Sequence, residues 1–150
     1  MRTSKVLLAV TVAAVAAIGA SALVSAQDVI AQRKALMKAT GGSFKTATDM
    51  VKGETPYDAA KAAEAMTKIA KGMPDFLKLF PDNAKTGGET TAAPAIWEKR
   101  ADFDAKGAAM VKAVEAAAAA APKGLDAFKT AHAEIGKTCG GCHTPYRIKK

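Results

Sequence analysis

Cys139-Gly140-Gly141-Cys142-His143 decides how this chain is read, and it contains both of the chain's cysteines. C-x-x-C-H is the pattern of covalent c-type haem attachment. Two thiols three positions apart on a helical turn can each form a thioether to one porphyrin vinyl group, and the next residue, His143, can turn its imidazole to the iron as proximal ligand. Gly140 and Gly141 carry no Cβ, which lets the macrocycle lie close to the backbone. Rival chemistries lack parts. A structural zinc site takes about four ligands. The chain offers Cys139, Cys142, His143 and His132, and the adjacent Cys142 and His143 are hard to aim at one tetrahedral ion. A redox dithiol belongs beside a βαβ pattern, and no strand pattern is present.

Immediately outward, Leu125, Phe128, His132, Ile135, Cys139, Cys142 and Tyr146 recur at steps of three and four. This predicts a helix over 125–148 with the motif on its inward face. Pro145 predicts a kink or an early end, because its ring clashes with the carbonyl of Gly141. Arg147 lies one turn after His143, where its charge can meet a haem propionate or the proximal side. His132 stands eleven positions before His143, about 16 Å along the same helix, too far for a second axial bond. Packing is its simpler role, with titration near the haem as the functional one. Tyr146 reads as a packing residue.

Three more helices precede this one. Ile30, Arg33, Met37, Thr40, Phe44, Ala47 and Val51 share one face of a helix over 28–52, which Gly53 ends. Thr55 and Pro56 open a second helix over 56–71, with Ala59, Ala63, Met66, Ile69 and Ala70 inward and Gly72 and Pro74 as its stop. A third runs over 95–121, its Ala116–Ala121 end having the highest intrinsic helix propensity, until Pro122-Lys123-Gly124 breaks it. The connection 73–97 is long for a compact domain, yet Phe76, Leu77, Leu79, Phe80, Ile96 and Trp97 need burial. A short helical turn near 75–79 and a loop over one end of the bundle are expected. The fold class is all-α: an antiparallel four-helix bundle around a covalently bound haem.

The N-terminus reads as a cleaved secretory signal peptide over 1–26. Arg2 and Lys5 form the positive region, Val6 to Ala20 is almost wholly apolar, and Val24-Ser25-Ala26 is a small-residue cleavage site. The apolar run of about 15 residues is short for a membrane span, which needs roughly 20. The mature domain is then 27–150, and loss of Arg2 and Lys5 with no acid lowers the formal charge from +8 to +6. Export together with the haem motif points to an oxidising periplasm. No basic-aromatic constellation suggests nucleic acid, and no nucleophile–base pair suggests an enzyme.

Taken together, these features resemble class II cytochromes c, the cytochrome c′ and c-556 group. The resemblance covers 27–150. It is carried by Arg33-Lys34-Ala35-Leu36-Met37-Lys38, Leu79-Phe80-Pro81, Pro94-Ala95-Ile96-Trp97 and Gly136-Lys137-Thr138-Cys139 through Cys142-His143-Thr144-Pro145-Tyr146-Arg147. It implies one haem c held by Cys139 and Cys142, with His143 on the iron. It also implies a propionate partner in Arg33, and a monomer or a homodimer, since some members pair through their first two helices. Met37 stands where low-spin members carry a methionine ligand; high-spin cytochrome c′ has an apolar residue there and an open face for NO or CO. Thioether ligation raises the reduction potential. The first expectation is therefore a periplasmic electron carrier with His143 and Met37 on the iron and redox partners that dock through acidic surfaces. The alternative is a five-coordinate gas binder. Met50, Met66 and Met110 read as core; Met73, in the loop, is an outside candidate for the ligand.

Overall fold

A computed structural model describes residues 25–149. The expected leader lies outside them, except for Ser25 and Ala26. Five helices follow in order: α1 (Ala26–Lys52), α2 (Ala59–Lys78), α3 (Ala95–Glu98), α4 (Arg100–Ala120) and α5 (Leu125–Tyr146). The four long ones make the bundle, and α3 is a single turn beneath one end.

Local chemistry sets most boundaries. Ser25 caps α1 by a capping box, accepting from the Asp28 amide while the Asp28 carboxylate accepts from the Ser25 amide; cleavage after Ala26 would remove that cap. Gly53 closes α1 in the left-handed region, at φ 77. The start expected at Thr55 and Pro56 moves to Asp58, whose side chain accepts from the Lys61 amide as N-cap of α2.

Two interior departures are larger. Pro74 does not stop α2 but lies inside it. The helix runs on because Met73 is buried and Phe76 and Leu77 pack onto the core clusters, and burial of such side chains is worth about 1.5–3 kcal/mol each, enough together to offset one proline. The helix expected over 95–121 is broken at Lys99, which leaves helical geometry at φ −125, ψ 46. The break lets α3 dock sideways: the Trp97 indole donates to the Phe80 carbonyl at 3.0 Å. On α2 Met66 and Ile69 are buried as expected; Ala62, Ala65 and Met73 join them, while Ala59, Ala63 and Ala70 are only partly buried.

At the far end, α5 stops at Tyr146, as Pro145 foretold. Arg147 is extended and bridges Ala92, with the Ala93 amide on the Tyr146 carbonyl at 3.0 Å and the Ile148 amide on the Thr91 carbonyl at 2.8 Å. The long connection is thus strapped to the end of α5.

The core has two parts. One runs through the bundle around Met66, Ile69, Val114, Phe128 and Ile135. The other gathers Phe80, Ile96, Phe103 and Tyr146 under the strap. Helix α2 lies against α1 and α4, and α4 against α5, while α1 and α5 meet over a much shorter stretch. The gap between the first and last helices holds the site.

Candidate haem site

A cavity of about 660 Å³ opens between α1 and α5, within the range of cofactor pockets. On α5, Thr138, Cys139, Cys142, His143 and Tyr146 line it, from two adjacent columns of the helix at four-residue spacing, and Arg147 joins them just past its end. On α1, Ile30, Arg33, Met37, Gly41 and Phe44 line the opposite wall. The strap residues Glu89 to Ala92 close one edge, and Met73, Phe76 and Met110 close the floor. Every residue expected at the site from sequence, Arg33, Met37, Cys139, Cys142, His143 and Arg147, faces this one cavity.

Both cysteines are half-buried and free of a disulfide. Burial raises the pKa of each thiol. His143 is open to the cavity; desolvation, and then the charge of Arg147, lower its pKa. The ring is therefore held neutral, with a lone pair free to bind a metal. A Cβ added at Gly140 or Gly141 would meet nothing within 4 Å, so the motif's own backbone leaves the space beside it open.

Arg33 is the site's buried charge, 5% exposed. Its Nη2 donates to the Ala84 carbonyl at 2.7 Å, and the guanidinium stacks over Phe80 at 4.7 Å from the ring centre. Nε and Nη1 are buried with no hydrogen-bond partner. Burial lowers its pKa, and no carboxylate pairs with it among the described residues. A buried cation with two idle donors calls for an anion, and a haem propionate supplies one. Arg33 is thus not a solvated surface charge. Size, free thiols, a neutral imidazole and this orphaned guanidinium all fit a covalently bound haem.

Met37 is half-buried on the wall across from His143. Met50 and Met66 are core residues away from the cavity; Met110 is core and also floors it. Met73 is not in a loop: it is buried in α2 and reaches the floor. His132 does not face the cavity. It stacks flat on Phe44, with ring centres 4.4 Å apart, and meets Thr48 Oγ1 at 3.0 Å. Sequence reasoning missed Phe103, Lys106 and Gly107, which line the site from α4. It also missed Asp102, which accepts from the Tyr146 hydroxyl at 2.5 Å. These α4 positions carry no motif, and the helix is so alanine-rich that its periodicity is faint.

Comparison with known proteins agrees with this geometry. The sequence profile of the family described as Cytochrome C' matches residues 28–147. Cytochrome c' of Rhodopseudomonas palustris is 37% identical over 143 residues, covering 93% of this chain and 95% of that protein. Cytochrome c-556 of the same species is 36% identical over 145 residues, covering 94% and 97%. A solved cytochrome c' from Rhodopseudomonas palustris has a TM-score of 0.78 at 38% identity, covering 82% of this chain and 98% of that one.

Proposed function

The chain belongs to the cytochrome c′ family, whose members carry one covalently bound haem c, and we propose that it is a periplasmic monohaem cytochrome with a distal face open to a small diatomic ligand. Cys139 and Cys142 would hold the haem, His143 would ligate its iron, and Arg33 and Arg147 would neutralise its propionates. The observation that carries this reading is the wall opposite His143. It is built of Ile30, Met37, Gly41 and Phe44 and presents no second imidazole or thiolate, since His132 and both cysteines are placed elsewhere.

When bound, the haem supplies one-electron exchange and, with a vacant sixth position, affinity for NO or CO. The chain's own residues set the terms. His143 gives a neutral nitrogen, the apolar walls exclude water, and the two arginines balance negative charge. Electron carriage with Met37 on the iron stood first in the sequence reading. The family match and the Rhodopseudomonas palustris cytochrome c' favour the open face over it.

The Met37 reading keeps one specific support: Met37 lines the same cavity as His143, and a c-556 is nearly as similar as the cytochrome c'. The visible spectrum separates the two. A broad high-spin spectrum that shifts when carbon monoxide meets the reduced protein is the expected result. Sharp low-spin bands insensitive to carbon monoxide, converted to the first type by Met37→Ala, establish Met37 ligation instead.

Lys34, Lys38, Lys106 and Arg147 stand around the cavity against a single acid, Glu89. That imbalance supports docking of acidic partner proteins at the haem edge. Electron transfer from an acidic donor protein should slow as ionic strength rises, and a rate independent of salt refutes such docking.

A further inference from the structure

His132 is the buried titratable side chain that the haem site leaves unused. It is 8% exposed, on the inner stripe of α5. One face of its ring lies on Phe44, parallel to within 3°. Phe44 itself lines the haem cavity, which His132 does not reach. The imidazole is therefore linked to the cofactor space through one aromatic residue.

The hydrogen bonds fix the tautomer. Thr48 has one hydroxyl proton, and it donates that proton to the Phe44 carbonyl at 2.9 Å. Toward His132 the same oxygen can only accept, so Nε2 carries the hydrogen across the 3.0 Å contact. Nδ1 is left as the free basic site. The three residues form a closed clamp: Thr48 bonds the backbone of Phe44 and the ring that lies on Phe44.

We propose that His132 is a proton-linked positioning residue, which clamps Phe44 into the cavity wall and takes up a proton at Nδ1 more readily when the haem iron is ferrous than when it is ferric. Reduction adds one electron to the iron from an external donor and removes one positive charge from the cavity. A proton from solvent then binds Nδ1 at lower electrostatic cost, and reoxidation releases it. A protonated ring on the face of Phe44 is also a cation–π pair, so the clamp tightens in that state.

Among the described residues no charged side chain shifts the titration of His132. The charged residues nearest in sequence to its clamp on α1 are Lys45 and Asp49, bonded to each other. On α5 they are Lys129, Glu134 and Lys137, the last two also bonded to each other. Burial alone lowers the pKa of His132, and none of these charges contributes.

The inference rests on haem occupying the cavity and not on which group completes its coordination. The test is an NMR titration of the His132 ring in the haem-loaded protein, once ferric and once ferrous. The expected result is a higher midpoint in the ferrous protein. In parallel, the reduction potential should fall as pH rises through that window, and His132→Gln should flatten the fall. Glutamine keeps an N–H for Thr48 but cannot titrate. Thr48→Val, which frees the clamp without touching the imidazole, should shift the Phe44 ring resonances. Identical His132 midpoints in the two oxidation states overturn the proposal. So does a pH dependence of the potential that survives His132→Gln unchanged. A chain that binds no haem at all fails earlier, in its visible spectrum.

Discussion

Arg33 shows what the site demands of one residue. A guanidinium with two buried, unsatisfied donors is tolerable only if something outside the chain completes it. Arg33→Met should therefore act in opposite senses. In the haem-loaded protein it should cost about 1–3 kcal/mol, the usual loss for a buried charged hydrogen bond. In the haem-free chain it should be neutral or stabilising, because an isolated buried charge is removed. Urea titrations of both forms check this, and equal losses in the two would argue against a propionate partner. His132 gives a pH effect with a definite sign. Burial holds its folded pKa below the ordinary 6.5, so the unfolded chain binds more protons between the two values. Stability is then full above about 6.5 and is lost as pH falls through the depressed folded value. His132→Gln should blunt that acid limb, seen as a urea midpoint that changes less between pH 7 and pH 5. Tyr146 acts at the other extreme: its bond to Asp102 pushes the phenol up to about 12, so its contribution is lost as pH rises from about 10. The thiols and His143 were legible in the sequence because they sit in a short pattern of distinctive chemistry, whereas Met37 and Arg33 were legible only through the family resemblance. The burial of Arg33 was not, since its partners Phe80, Ala84 and Trp97 come from the long connection after α2 and from α3.

At the scale of elements, two helical glycines that look alike in sequence have different duties. A Cβ on Gly107 would stand 2.6 Å from the Leu77 side chain, so α4 approaches α2 there only because the glycine is bare. Gly107→Ala should destabilise the fold by about 1 kcal/mol, the overpacking cost less the gain in helix propensity. Gly42 has nothing within 4 Å of its added Cβ, and Gly42→Ala should stabilise α1 by up to about 1 kcal/mol. Thermal melts of the two variants should move in opposite directions. Gly41 faces the cavity, with nothing within 4 Å of an added Cβ there either. The four long helices were legible because their apolar spacing persists over many turns. Their ends were less so. Pro74 reads locally as a stop, and only the burial of Met73 together with the packing of Phe76 and Leu77 explains why α2 ignores it. The break at Lys99 likewise depends on where Trp97 finds Phe80, a contact 17 positions apart.

Over the whole molecule, ion pairs do little to hold the fold. They are mostly pairs three or four positions apart on exposed helix faces, worth at most a few tenths of a kcal/mol each. The core is made largely of alanine and methionine, with the aromatic cluster of Phe80, Ile96, Phe103 and Tyr146 bordering the haem cavity. A bundle so short of bulky side chains should rely on haem for apolar contact. The haem-free chain should melt broadly, and a sharp cooperative transition in it would contradict that expectation. One further consequence follows from the cavity's two walls. They are α1 and α5, the first and last helices described, which otherwise scarcely touch. During synthesis, Met37 and Phe44 emerge early, and the opposite wall of their cavity is missing until α5 arrives about a hundred residues later. A chain that stops before α5 has neither the thiols nor His143 with which to hold a haem. Colour in this protein is therefore a receipt for translation: red absorbance reports that synthesis has passed Cys139, Cys142 and His143.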